Sequence, residues 1–228
     1  MSGAFVSWSG GKDSCLACYR AITSGVQVRY LLNMVTEDER WSRSHGLSAE
    51  VLRLQAEAMG IPLIQQRATR ASYEAEFRDV LLRFVGEGIT SGVFGDIDVV
   101  EHREWIERVC STVGVTPHLP LWEEDQEKLF REFIDSGFES VVVATKADLL
   151  GEEWLGRKVD LAFLGELEEL KRTKGITITP CGEAGEYHTY VINGPLFRRR
   201  IEIQEVSKEL RDGRWFLGIT KGELKPKG

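Results

Sequence analysis

The residues best suited to chemistry stand near the start of the chain, in Ser9-Gly10-Gly11-Lys12-Asp13-Ser14. Two glycines directly after an apolar strand let the backbone turn sharply and bring its N–H groups close to an anion. A helix beginning there adds the partial positive charge of its N-terminus. Lys12 adds a full charge, and the Ser9 and Ser14 hydroxyls add donors. The constellation fits phosphate. It is not a Walker A loop, which needs glycine where Val6 stands and Ser or Thr where Asp13 stands. A plain glycine turn would account for Gly-Gly alone; the lysine and two serines in a strand-turn-helix setting make nucleotide binding the expectation.

The second dense feature is Cys181-Gly182-Glu183-Ala184-Gly185-Glu186-Tyr187-His188-Thr189. Glycines alternate with carboxylates ahead of a strand, which puts Glu183 and Glu186 on a loop at the strand's mouth. One Gly-Glu pair would be a tight turn with solvated acids. Four polar or ionisable side chains on one glycine-rich loop point instead to a site. Carboxylates there suit holding a cationic substrate or ammonium, or taking a proton from it. His188 is a base, a substrate contact or an outward strand histidine. Asp96 follows a short strand at the carboxyl edge of the sheet, where ligands of doubly wound folds sit, and fits a magnesium or nucleotide role. Cys15 and Cys18 form a C-x-x-C, but both fall on a buried helical stripe and read as core. His118 reads as a linker residue, and Trp105, Trp122 and Trp154 as packing.

The elements that must position these groups alternate in the first half. Ala4 to Trp8, Val28 to Val35, Ile61 to Gln65 and Gly92 to Gly95 read as strands. Between and after them, Cys15, Cys18, Tyr19 and Ile22, then Val51, Leu54 and Ala58, then Phe77, Val80, Leu81 and Phe84, then Ile106, Val109, Cys110 and Val113 mark buried helix faces. Ser72 is the expected N-cap of the third helix. Strand-helix repeats without tight hairpins imply a mostly parallel sheet covered on both faces. Thr116 to Trp122 holds two prolines and cannot be a regular helix, so the junction between two domains is placed there. Beyond it come a helix with Leu129, Phe130, Phe133 and Ile134, the β-branched run Val141-Val142-Val143, a helix through Leu161, Leu164, Leu167 and Leu170, and a β-rich end with turns at Asn193-Gly194-Pro195 and Asp212-Gly213.

The 228 residues suffice for one large domain or two small ones. A net charge of -7, with only small basic clusters, argues against a polyanion such as tRNA as partner. No apolar run reaches the length of a membrane span and no secretory signal is visible, so a reducing cytoplasm is expected.

Ser9 to Ser14 resembles the PP-loop of the ATP pyrophosphatases, which adenylate a carboxylate or carbonyl oxygen and release pyrophosphate. The further motifs His45-Gly46, Gly95-Asp96-Ile97, Pro120-Leu121-Trp122, Gly182-Glu183, Gly185-Glu186 with Thr189, and Gly194-Pro195-Leu196-Phe197 extend the likeness nearly end to end. Together they are similar to the diphthine–ammonia ligase family, also called the ATP-binding domain 4 family. The resemblance implies an α/β fold: a doubly wound, mostly parallel, HUP-like sheet over 1–117, with a second, smaller α+β domain over 118–228 for the acceptor.

It further implies ATP, with Mg2+, held by Ser7, Ser9, Gly10, Gly11, Lys12, Asp13, Ser14, Met34, His45, Gly46, Gly95 and Asp96. Lys12, Asp13, Asp96, Glu183 and Glu186 would be catalytic, and Glu183, Glu186, His188 and Thr189 would meet the acceptor. The family reaction adenylates the carboxylate of diphthine, a modified histidine on a translation elongation factor, and ammonia displaces AMP. The family's diphthamide-making members carry an acid in the last motif, Gly-Glu-Phe-Glu-Thr, where this chain has His188; histidine there typifies another branch. The acceptor is therefore the elongation factor or a small-molecule carboxylate, with a homodimer as a possible assembly. A tRNA-modifying enzyme and a non-catalytic nucleotide-binding module remain the rival readings.

Overall fold

The computed structural model describes residues 3–42 and 45–227. The first five strands, β1 (Gly3–Ser7), β2 (Val28–Val35), β3 (Leu63–Arg67), β4 (Ile89–Val93) and β5 (Thr116–His118), form one parallel sheet in the order β3-β2-β1-β4-β5. The crossovers are helices α1 (Lys12–Thr23), α2 (Ala49–Met59), α3 (Tyr73–Gly86) and α4 (Val100–Thr112). Strand order reverses between β1 and β4. The cleft outside their carboxyl ends is where open α/β sheets bind ligands.

Alternation along β1 explains how both faces are covered. Ala4 and Val6 point to a core that includes Cys15 and Cys18 of α1 and Leu52 and Ala56 of α2. Phe5 points the other way, into a separate core with Phe77 and Phe84 of α3 and Ile106 and Val109 of α4. Cys15 and Cys18 are fully buried free thiols, as the helical spacing implies. Gly60, in the left-handed conformation, ends α2 as a Schellman-type cap.

Details depart from the sequence reading: the third and fourth strands run over Leu63–Arg67 and Ile89–Val93 rather than starting at Ile61 and Gly92. Ser72 precedes α3 in a helical conformation without a side-chain cap; its hydroxyl accepts instead from the backbone N–H of Thr69. The proline-rich stretch does not leave the first sheet at once. Thr116–His118 pairs with Ser91 to Val93 as the fifth strand, and Pro117 is tolerated because that strand lies on the edge.

The remaining strands, β6 (Glu139–Lys146), β7 (Tyr187–Asn193), β8 (Arg199–Arg211) and β9 (Arg214–Pro226), form an antiparallel sheet in the order β7-β6-β9-β8, with α5 (Gln126–Asp135) and α6 (Leu161–Lys174) beside it. Asp212 and Gly213, both at positive φ, turn β8 into β9. The core behind α1 and α2 continues without a break into Phe133, Val142, Phe163 and Tyr190. The two sheets therefore share one hydrophobic mass, which fixes β7 against the start of α1. Among the described residues no helix is long and apolar enough to cross a membrane.

Candidate active site

The turn after β1 is shaped by what surrounds it. Gly10 has φ +80°, and a Cβ there would lie 2.4 Å from Leu52 and 2.7 Å from Gln55 Oε1, so only glycine fits. A Cβ on Gly11 would meet the His45 ring at 2.4 Å. Gly95, at the exit of β4, packs so closely on α1 that its Cβ would sit 2.7 Å from the Ser14 nitrogen. Gly11, as N-cap, has no side chain to satisfy the first helical amides. Thr189 of β7 supplies the missing oxygen: its Oγ1 accepts from the Lys12 N–H at 3.0 Å. Ser14 donates its hydroxyl to the Gly11 carbonyl at 3.1 Å and lies 3.1 Å from the Ser9 hydroxyl.

In front of this turn lies a cavity of about 500 Å³. One wall is polar, with Ser7, Ser9, Lys12, Asp13 and Ser14. A second is apolar and comes from α3, α4 and the end of β4, through Tyr73, Phe77, Phe94, Trp105 and Ile106. The third is the 181–189 segment with His45. A cleft of this volume, with an apolar wall opposite convergent polar groups, suits a small organic ligand with an anionic end.

The charges in the cavity are unevenly compensated. Lys12 is buried, yet its ammonium bonds Asp13 Oδ2 at 2.9 Å and the Cys181 carbonyl, and lies 5.3 Å above the Tyr187 ring. Burial opposes its charge, but Asp13, Tyr187 and Cys181 outweigh burial and hold its pKa above the usual lysine range. Glu183 has no such partner. Burial, followed by the field of Asp13 and, more weakly, of Asp96 and Asp98, raises its carboxyl to about 7 against the pull of Lys12. Burial raises Asp13 as well.

His45 and His188 are stacked, with centroids 4.4 Å apart. Burial lowers His45 to about 4, and burial together with His45 keeps His188 well below its ordinary value, so both rings are neutral near pH 7. His102 bonds Asp96 through Nδ1 at 3.0 Å, and that bond raises its pKa.

Of the residues singled out from sequence, Ser7, Ser9, Lys12, Asp13, Ser14, His45, Gly95, Asp96, Glu183, His188 and Thr189 line this one cavity. Five do not. Gly10 and Gly11 shape the turn from behind, and Met34 is packed in the α3–α4 core. Gly46, at φ +65°, packs on Phe216. Glu186 is buried at 3% exposure and accepts the Thr179 N–H at 2.8 Å, so its carboxylate holds the loop from within and does not reach the cavity.

Sequence reasoning missed the aromatic wall. Trp105 was expected to be packing only, yet it lines the cavity, tilted against Tyr73 and Phe77, with its indole N–H on Glu74. Tyr73 and Phe77, four apart at the start of a helix that follows a strand, were the available signal. Cys181 and His102 also line the cavity; burial raises Cys181 to about 12, which leaves it a thiol. Among the described residues no cluster of three or more His, Cys, Asp or Glu could by itself hold a metal ion.

A doubly wound sheet with a glycine-rich helix start and an aromatic-walled cleft at its strand-order reversal defines the class: an α/β protein with its cleft where such sheets bind ligands. The model of the diphthamide synthase N-terminal domain matches residues 2–117, and that of the diphthamide synthase C-terminal domain residues 125–224. The diphthine–ammonia ligase of Rattus norvegicus is 31% identical over 225 residues, covering 86% of this chain and 80% of the relative. That of Homo sapiens is 32% identical over 219 residues, covering 85% and 79%. The Schizosaccharomyces pombe relative is 28% identical over 220 residues, and the chain spans 35% of its length. The chain belongs to the diphthamide synthase family and is a ligase.

Proposed function

We propose that this ligase adenylates a carboxylate with ATP and amidates it with ammonia, residues 1–117 serving the nucleotide and 118–228 the acceptor. The observation that carries this reading is the juxtaposition across one cavity of the Ser9–Ser14 turn, the aromatic wall and Glu183. The aromatic wall receives the base and the turn receives the phosphates. A carboxylate oxygen of the acceptor attacks the α-phosphorus and pyrophosphate leaves, its charge stabilised by Lys12 and the oriented amides of α1. Ammonia then attacks the acyl carbon and AMP leaves. Glu183, raised toward neutrality, takes the proton that the new amide nitrogen loses.

Asp13 and Asp96 offer oxygen donors that Mg2+ would take beside phosphate oxygens. When bound, that ion would neutralise phosphate charge. Four buried free cysteines suit a reducing cytoplasm.

By family, the acceptor is diphthine on an elongation factor. A second reading keeps the chemistry and changes the acceptor to a small carboxylate. It is favoured by His188, a neutral ring stacked on His45 where the family resemblance implies an acid in diphthamide-making members. The enzyme is incubated with ATP, Mg2+ and ammonium, with the diphthine-bearing factor or with small carboxylates in parallel. AMP and pyrophosphate released only with the factor support the first reading, and release only with a small carboxylate the second. ADP and orthophosphate would overturn both.

A further inference from the structure

Gln55 lies in the middle of α2, is completely buried, and takes no part in the cavity lining. Its side chain nevertheless touches three parts of the molecule at once. Nε2 donates to the Gly10 carbonyl at 2.9 Å and to the Val191 carbonyl of β7 at 2.8 Å. Oε1 accepts from the Trp8 indole N–H at 2.9 Å. Two carbonyls on one side and an N–H on the other fix which end of the amide is which.

The Gly10 carbonyl accepts a second bond, from the Val191 N–H at 3.0 Å. The side-chain amide thus takes the place that the next peptide N–H of a neighbouring strand would occupy beside β7. Because a trans peptide sets its C=O and N–H on opposite sides, a Gly10 carbonyl pinned toward α2 and β7 turns the Gly11 N–H to the opposite side of the turn. There it lies 3.3 Å from Ser9 Oγ. Gly10 is the one residue in this turn at positive φ and has no side chain to restrain it. The orientation of that peptide therefore depends on what grips its oxygen.

We infer that Gln55 is a positioning residue that clamps the phosphate turn in its anion-accepting form and ties it to the strand carrying His188 and Thr189. The inference rests on the nucleotide reading given above. A buried amide satisfied at every contact specifies one geometry, and an apolar replacement would leave the Val191 carbonyl and the Trp8 N–H unpaired.

The test compares binding of ATP and of adenosine, by calorimetry well below each melting temperature, in wild type, Gln55→Met, Trp8→Phe and Phe133→Leu. Methionine keeps the shape without the amide. Trp8→Phe removes the donor to Oε1 together with part of a buried ring, and Phe133→Leu is the control for that lost packing. Phe133 of α5 lies away from the cavity and serves as a control for lost stability. Gln55→Met is expected to weaken ATP at least tenfold and Trp8→Phe about threefold, with adenosine unchanged in both; Phe133→Leu leaves both ligands unchanged. If Gln55→Met does not fold, the Trp8→Phe comparison decides. ATP binding within twofold of wild type, or an equal loss of ATP and adenosine, would overturn the clamp alone. Failure of wild type to bind ATP at all would overturn the nucleotide reading and the clamp with it.

Discussion

The two loops that face each other across the cavity are built in opposite ways. The Ser9–Ser14 turn carries its chemistry in one segment, a strand end, two glycines and a helix start, and remote Gln55 and Thr189 only fix its backbone. The 181–186 loop is held from a distance. Arg214 of β9 donates to the Gly185 carbonyl, Lys146 of β6 to the Ala184 carbonyl, and Gln126 of α5 accepts from the Cys181 N–H. Within it, the two carboxylates part company: Glu186 turns inward and binds backbone, while Glu183 faces the cavity near Asp13 and Asp96. A locally encoded turn can state its chemistry in six residues. A loop held by remote side chains can carry identical residue types in unlike roles.

Breaking the local loop has the largest expected effect. Lys12→Ala removes the charge facing the phosphates and should lower kcat/KM for AMP release by ~10²–10³. A smaller loss would mean that the helix amides act without it. Next comes Glu183→Gln, expected to cost ~10² in kcat. In wild type, activity should rise with pH through about 7 as Glu183 ionises, and that step should vanish in the variant.

The sign for stability is opposite. A carboxyl whose folded pKa is raised binds more protons folded than unfolded between its ordinary value of 4.5 and about 7, so stability falls as pH rises through that window. Glu183→Gln should therefore melt higher than wild type at pH 8 and nearly equal to it at pH 4.5. An unchanged melting difference across that range would place the raised pKa elsewhere. The smallest effect belongs to Glu186→Gln, which keeps the oxygen that accepts from Thr179. It should change kcat less than twofold and leave the pH profile alone; a loss comparable to that of Glu183→Gln would erase the distinction between the two carboxylates.

Much of the fold could be read along the chain. The strand-helix alternation, the buried stripe through Cys15 and Cys18 and the Asp212-Gly213 hairpin all depend on periods and turn residues that repeat within a few positions. The stretch from Thr116 misled because two prolines forbid a helix but not an edge strand, and whether a strand is an edge depends on its neighbours. Trp105 misled because a helical face carries no mark of whether it meets a core or a cleft.

By itself the sequence determined that a glycine-lysine turn with the chemistry to suit phosphate follows the first strand, since glycine freedom, lysine charge and a helix start act within one short segment. It also supplied the two acids of the later loop. Only the tertiary structure decided which acid is exposed to the cavity, that Thr189 caps a helix beginning at residue 12, and that Gln55 grips Gly10. Those contacts join residues far apart in the chain, and their strength comes from burial. Burial is a property of the packed sheets together and of no single segment.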